Sequence, residues 1–335
     1  MGEFELIQRY FTRPTRHAVL GVGDDCAVLQ CAPGMQMAIS CDMLVSGRHF
    51  FADTDPHCLG HKALAVNLSD LAACGARPLA FTLALALPDA NPAWLAPFAD
   101  GLWALADAHG CELIGGDTTQ GPLNICITVF GEVPVGPAQR PGLAATRAIL
   151  RSAAQSGDDI YVSGTLGDAR LALEALRGRV PCDDATLVSV RQRLEQPTPR
   201  VALGLALRGV ASACADISDG LLGDLGHILE RSNVGARLDT SIATEKLASA
   251  TLSAAAQTVL TPQQLLAYVL AGGDDYELVF TAAPALRSAV AQAGSLSGTP
   301  VTRIGQIEQA PGLRLVDATG KPVANRFASF DHFAA

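Results

Sequence analysis

Strand-length apolar runs and apolar runs at helical spacing take turns along this chain, and that alternation restricts it to an α/β or α+β architecture. Met37 to Ser40 reads as a short strand ending at Asp42, and Leu59 to Cys74 as a helix stopped by Gly75. Leu79 to Leu87 is a strand, Pro92 to His109 a helix stopped by Gly110, and Glu112 to Ile114 and Asn124 to Val133 are strands around Gly115-Gly116-Asp117. A Pro/Gly-rich stretch, Pro134 to Gly142, then breaks the pattern. The alternation restarts with strand Ile160 to Val162 and a helix through Leu176. It continues with a long helix from Pro199 to about Val210 and strand Ala213 to Ile217 before a helix to Ser232. Helix Leu265 to Leu270, strand Glu277 to Thr281, helix Pro284 to Gly294 and a hairpin near Thr319-Gly320 complete it. The expectation is two domains, residues 1–138 and 139–335, which suits a chain of 335 residues.

Aspartates gather where these elements are expected to end: Asp24-Asp25, Asp42, Asp117, Asp216, Asp219 and Asp274-Asp275. Asp70 is the exception. It is expected mid-helix, where aspartate is disfavoured, with Asn67 three residues back on the same face. Any one of these is ordinary as a turn or cap residue. Glycines beside Asp24-Asp25, Asp117 and Asp274-Asp275 let backbone approach a ligand. Converging carboxylates must take up protons or hold cations, and an oxygen-only donor set suits Mg²⁺.

The net charge of −9 argues against nucleic acid as a partner. Only Lys62, Lys246 and Lys321 are lysines; the other 21 of 24 basic residues are arginines. Lys321 is followed by Pro322, so there is no GK[ST] phosphate loop, and the protein-kinase triads are missing. Gly21-Val22-Gly23-Asp24-Asp25 sets two aspartates where a dinucleotide fingerprint would admit pyrophosphate. ATP would therefore be met through metal on acidic loops plus arginines. The acidic start, Met1 to Glu5, shows no signal peptide, and no apolar run reaches the length of a membrane span. Nine cysteines without a CxxC pair read as reduced, mostly buried thiols in a cytoplasm. His57 and His61, with Cys58 between, have metal-ligand spacing, but no completing set is evident.

Six motifs occur in order: Gly21 to Ala27, Ser40 to Phe50, Lys62 to Ala73, Gly115-Gly116-Asp117-Thr118-Thr119, Asp216-Ile217-Ser218-Asp219-Gly220-Leu221 and Gly272 to Leu278. With the terminal Phe330-Asp331-His332-Phe333, the set resembles the thiamine-monophosphate kinase family over nearly the whole chain. That family belongs to the aminoimidazole-ribonucleotide-synthetase-like ATP-binding superfamily. The resemblance implies an N-terminal α/β domain whose sheet pairs across a homodimer and a C-terminal α+β domain closing the active-site cleft. It also implies γ-phosphoryl transfer from ATP to thiamine monophosphate, the last step of thiamine diphosphate synthesis, with no nucleic-acid or membrane partner.

Carried over by position, Asp25, Asp42, Asp70, Asp117 and Asp216 would hold several Mg²⁺ ions. Ser40 and Cys41 would contribute from the same segment, and Asp219 would bind a further ion. Gly116, Asp117, Arg151 and Ser218 would contact ATP; His49, Asp274 and Phe330 would contact thiamine monophosphate. Asp42, Asp117 and Arg151 would be the catalytic residues. Phe327 or Phe330 would cover the thiamine rings. Cys41 stands where the family commonly has threonine, Asp274 where glutamate is usual, and Phe330 lacks the hydroxyl of the tyrosine often found there. The Trp94/Trp103 region reads as core.

The rivals are sister ATP-using synthetases and a non-catalytic Mg-nucleotide-binding scaffold. Selenophosphate synthetase would carry a reactive cysteine or selenocysteine with a nearby lysine in its glycine-rich N-terminal segment, and neither precedes Cys26 in that arrangement. The hydrogenase-maturation relative ends in a modified cysteine, whereas this chain ends His332-Phe333-Ala334-Ala335. The ribonucleotide synthetase would not join this His49 loop to the C-terminal aromatics.

Overall fold

The computed structural model describes residues 1–137, 145–327 and 329–330. The expected domain boundary at 138/139 and the terminal Asp331-His332-Phe333 lie outside the described residues. The chain divides into two compact units, Met1–Leu71 with Ala76–Val135, and Ala72–Gly75 with Gly136–Ala335.

The first unit begins with helix α1 (Glu3–Leu6), which runs on through a π turn at Ile7–Phe11, and the small hairpin β1 (Ala18–Leu20)–β2 (Val28–Leu29). Then come β3 (Met35–Val45), α2 (Pro56–Ala73), β4 (Arg77–Leu87), α3 (Pro92–His109), β5 (Glu112–Gln120) and β6 (Asn124–Pro134). Four of these strands form a sheet in the order β3-β6-β4-β5. β6 is antiparallel to β3 and β4, while β4 and β5 are parallel, joined through α3. β3 and β5 are therefore the two edges. On β4, Leu83, Leu85 and Leu87 are buried while Thr82, Ala84 and Ala86 take the more open face. α3 follows its apolar spacing, burying Leu95, Phe98, Leu102 and Leu105. Asn91 caps its first turn by accepting from the Ala93 N–H, and Gly110 ends it at φ 59°. Trp103 is buried, its indole N–H donating to the Tyr10 carbonyl at 2.8 Å.

Two strands are longer than their apolar pattern suggests. β3 extends on both sides of the expected Met37–Ser40, so Asp42 lies inside it and not at its end. β5 runs straight through Gly115-Gly116-Asp117. The backbone ladder explains both: Ser40 pairs with Val129, Asp42 with Ile127 and Asp117 with Ala84. Main-chain hydrogen bonds form whatever the side chain, so an edge strand tolerates polar residues that end an apolar run.

The second unit holds β7 (Asp159–Ser163), α4 (Asp168–Leu176), α5 (Asp184–Glu195), α6 (Val201–Ala206), β8 (Ala213–Asp216), α7 (Leu221–Ser232), β9 (Gly235–Asp239) and α8 (Thr240–Ile242). α9 (Ala250–Thr258), α10 (Pro262–Ala271), β10 (Leu278–Ala282), α11 (Arg287–Ser297), β11 (Val301–Glu308), β12 (Gly312–Val316) and β13 (Pro322–Val323) follow. Its seven-stranded sheet has the order β13-β12-β9-β11-β7-β10-β8 and is antiparallel except between β12 and β9. A core including Ile160, Val162, Leu171, Leu225, Ile228 and Val279 packs helices onto it. The helix expected from Pro199 to Val210 is shorter, Val201–Ala206, and the chain turns at Gly209 with φ 73°. α5 escapes the apolar pattern because it buries little beyond Val190 and Leu194; Asp183 starts it by accepting from the Thr186 N–H.

Candidate active site

The β3 edge carries one group of candidate residues. Ser40 and Asp42 alternate with exposed Ile39, Cys41 and Met43, so they point to the α2 side of the sheet. There the Ser40 hydroxyl donates to Asp70 Oδ2 at 2.5 Å. The Asp42 backbone N–H donates to Asn67 Oδ1 at 3.0 Å, and the Asn67 amide donates to the Ala63 carbonyl. Asn67 thus ties α2 to β3, a role that its position beside Asp70 did not reveal. The turn after β3 presents His49, whose Nδ1 accepts from the Val45 N–H at 2.9 Å. That bond leaves Nδ1 without a proton and puts the neutral ring's proton on Nε2. Buried Lys62 reaches the His49 carbonyl at 3.5 Å.

The β5 edge carries a second group. The β1–β2 hairpin packs Ala18, Ala27 and Leu29 against Leu79, Ala80, Ile114 and Phe130 of the sheet. Its loop thereby brings Asp24 and Asp25 to a cavity of about 750 Å³ shared with Phe4, Phe11, Gly116 and Asp117. Gly116 has φ 146°, and a Cβ there would fall on the Leu83 carbonyl, so only glycine lets this strand lie as it does. Asp25 and Asp117 are exposed, and their carboxylates have no hydrogen-bond or ion-pair partner among the described residues.

The second unit gathers the remaining candidates around the end of β8. Asp216 is buried there, and Ser218 and Asp219 follow in the turn before α7. The loop from Gly272 to Tyr276 lies against this turn: the Asp274 N–H donates to the Ser218 carbonyl and the Tyr276 N–H to the Ile217 carbonyl, both at 2.8 Å. Asp274 (φ 60°) and Tyr276 (φ 50°) both sit in the left-handed region, a conformation that surroundings must enforce. Buried Glu277 follows directly and meets Arg200 at 2.5 and 2.6 Å, Arg193 at 2.9 Å and the Ser163 hydroxyl at 2.6 Å. Asp275, buried beside it, accepts from the Gly167 N–H, and burial holds its pKa well above the carboxylate range. Arg151 is exposed in a short 3₁₀ turn whose carbonyl accepts from Ser232 of α7. Phe330 comes to the same turn, its N–H donating to the Asp219 carbonyl at 3.1 Å. Phe327, the other aromatic expected over the thiamine rings, packs against the unit's core instead.

Asp224 is a site-adjacent residue that sequence reasoning missed. It is buried at the start of α7, and its carboxylate accepts from the Asp219 and Gly220 N–H groups. Burial, then the Asp219 charge, push its pKa up to about 7. Its place four residues after Gly220 at the head of a helix was the available signal.

Some candidates stay apart. Asp42 and Asp117 lie on opposite edges of one sheet, three strand spacings or about 14 Å distant. Cys41 points away from Ser40 and Asp42 and meets Cys126, sulfur to sulfur, at 3.5 Å. The expected carboxylates do not form a metal-ligand trio within 4.8 Å among the described residues; Asp55, His57 and Cys58 do, without His61. Asp55 in that trio already accepts from the His57 and Cys58 N–H groups, as an N-cap does. Of the nine thiols, only Cys111 and Cys214 are buried, fewer than expected; Cys41 and Cys126 lie on the open face of the sheet, and the other five in loops or in and beside α2.

Residues 23–133 match the family described as AIR synthase related protein, N-terminal domain, and residues 155–318 its C-terminal domain. The chain is 44% identical to thiamine-monophosphate kinase of Escherichia coli (strain K12) over 99% of its own length and 98% of the relative's. It is similar to the crystal structure of thiamine-monophosphate kinase from Stenotrophomonas maltophilia K279a, with 44% identity, 96% of each chain covered and a TM-score of 0.80. A second solved structure, AaThiL complexed with AMPPCP and TMP, is 29% identical over 91% of this chain and 89% of that one, with a TM-score of 0.75. The chain belongs to the thiamine-monophosphate kinase family, on the two-domain framework of the AIR synthase related proteins.

Proposed function

We propose that the protein transfers the γ-phosphoryl group of ATP in line to the phosphate of thiamine monophosphate, releasing ADP and thiamine diphosphate as the last step of that cofactor's synthesis. The observation that carries the reading is the first unit's cavity, where Gly116 stands beside two carboxylates, Asp25 and Asp117, that have no partner among the described residues. The E. coli relative's activity and the AMPPCP–TMP complex of the structural relative support the choice of substrates.

The bond formed joins an acceptor phosphate oxygen to the γ-phosphorus, and the bond broken runs from that phosphorus to the β,γ-bridging oxygen. The acceptor phosphate is already largely ionised at neutral pH, so no general base is needed. Positioning and charge neutralisation then supply most of the rate. Arg151 brings a fixed guanidinium to the nucleotide with Ser218 and Gly116. His49 offers its Nε2–H, Asp274 a carboxylate and Phe330 an apolar ring to thiamine monophosphate. The donor chemistry fits magnesium, since the candidates present oxygen throughout. Ser40, Asp42 and Asp70 make one set, Asp25 and Asp117 a second, and Asp216 and Asp219 a third. Cys41 joins only through its backbone carbonyl. When bound, Mg²⁺ would neutralise phosphate charge and bridge it to these carboxylates.

The same geometry supports a homodimer. A magnesium ion reaches its ligands at about 2 Å, so no single ion touches both Asp42 and Asp117 of one copy. A site holding both takes one edge from each of two copies. Ile39 and Met43, 61% and 53% exposed on one face of β3, supply apolar surface for the second copy to cover. We place the enzyme in the cytoplasm, where its nine cysteines, none in a disulfide, would stay reduced. No helix among the described residues is long and apolar enough to cross a membrane. The test is incubation with ATP, thiamine monophosphate and Mg²⁺, with thiamine diphosphate measured. Product is expected; ATP bound without product would replace the kinase with a scaffold.

A further inference from the structure

α7 starts without a cap of its own. Gly220 precedes it and carries no side chain to accept from the first-turn N–H groups. The Gly223 N–H, in that first turn, is shared between the Gly220 carbonyl at 3.0 Å and Ser329 Oγ at 2.9 Å, 106 residues away in sequence. One residue further on, the Phe330 N–H donates to the Asp219 carbonyl at 3.1 Å. Phe327, just before, packs on the core of the same unit. Ser329 and Phe330 are therefore held at the head of α7 and at the turn that carries Asp219, and Phe327 is anchored on the core.

The two glycines of α7 show that this passage is built for. Glycine is a poor helix residue, and each needs a reason. A Cβ at Gly226 would meet nothing within 4 Å, whereas one at Gly223 would lie 2.7 Å from both Cβ and Oγ of Ser329. The missing side chain at 223 is the groove in which Ser329 sits.

We infer that Ser329 and Gly223 are positioning residues: together they clasp the C-terminal segment to the head of α7 and so hold the Phe330 ring at the thiamine end of the substrate. The inference rests on the reading of Phe330 as a thiamine monophosphate contact. It adds a cause for that contact, since the clasp joins the aromatic to the turn that carries the nucleotide and metal candidates. Ser329 touches no substrate and acts only through the backbone it fixes.

The test is steady-state kinetics with each substrate varied in turn, on full-length variants. Gly223→Ala keeps the helix and fills the groove; Ser329→Ala removes the acceptor; Ser329→Thr restores a hydroxyl; Gly226→Ala is the control. The expected result is a KM for thiamine monophosphate raised about tenfold in Gly223→Ala and Ser329→Ala, with kcat and the KM for ATP within about twofold. Ser329→Thr should recover most of the loss, and Gly226→Ala should behave as wild type. A wild-type KM in both clasp variants, beside a raised KM in Phe330→Ala, would overturn the clasp and leave the Phe330 contact standing. A wild-type KM in Phe330→Ala would remove the contact itself. Equal rises in both KM values, or the same defect in Gly226→Ala, would reduce the clasp to helix packing and overturn it.

Discussion

The two edges of the four-stranded sheet both carry aspartate in a strand, yet they are built differently. On β3, the candidates are tied into the fold: Ser40 donates to Asp70, and the backbone of Asp42 is held by Asn67. On β5, Asp117 lies exposed beside Gly116 and lines a cavity with Asp25, its carboxylate without a partner among the described residues. One edge is pre-set by hydrogen bonds, and the other keeps its charge available. The difference separates what a carboxylate does for the fold from what it does for a ligand. In the proposed homodimer, the separation of about 14 Å would leave each copy with two half-sites.

The largest expected effect breaks the exposed edge. Asp117→Asn should lower turnover about a thousandfold while leaving the melting temperature unchanged, because the carboxylate neutralises transition-state charge and supports no neighbour. A variant as active as wild type would remove Asp117 from the reaction. Next, Mg²⁺ with a nucleotide analogue at about a hundred times its dissociation constant should stabilise the protein by about 2.7 kcal/mol. That gain should vanish in Asp25→Asn; an undiminished gain would show that the cavity carboxylates do not bind it. The tied edge should respond in stability as well: Asp70→Asn weakens the bond from Ser40 and should cost about 1 kcal/mol in denaturant unfolding, where Asp117→Asn costs none. Equal stability losses at the two edges would erase the distinction.

A pH-dependent effect, read as a slope and not as a loss at one pH, concerns Asp224, a carboxylate buried without being tied to a cation as Glu277 is. Its pKa is raised to about 7, so between roughly pH 4 and 7 the folded protein keeps a proton that the unfolded chain has released. Its contribution is full below pH 4 and is lost as the pH rises through 7. Asp224→Asn should flatten unfolding stability across that window by at most about 1.4 kcal/mol per pH unit, and an unaltered slope would contradict the assignment.

Much of the architecture was legible because apolar spacing reports burial. α3 runs from Pro92 to His109 as its pattern and its Asn91 and Gly110 ends require. The edge strands were less legible, since Ser40, Asp42, Gly116 and Asp117 interrupt apolar runs that backbone pairing continues. Asp70 announced itself by being a helix-interior aspartate, and its bond to Ser40 is the reason such a residue asks for. Glu277 did not: nothing in the run Gly272 to Leu278 distinguishes the carboxylate ringed by Arg193 and Arg200 from Asp274 three residues earlier. Partners distant in sequence decide that, as they decide the cap that Ser329 gives to α7.

In the proposed homodimer, the two edges complete one site only when two copies meet. The direct measurement is complementation: Asp42→Asn and Asp117→Asn proteins, each inactive alone, are mixed, allowed to exchange subunits and assayed for thiamine diphosphate. Shared sites predict recovery to roughly a quarter of wild-type activity, because half of the dimers are mixed and one site in each is intact. Mixtures in which subunit exchange is verified and activity stays at the level of the separate variants would contradict it.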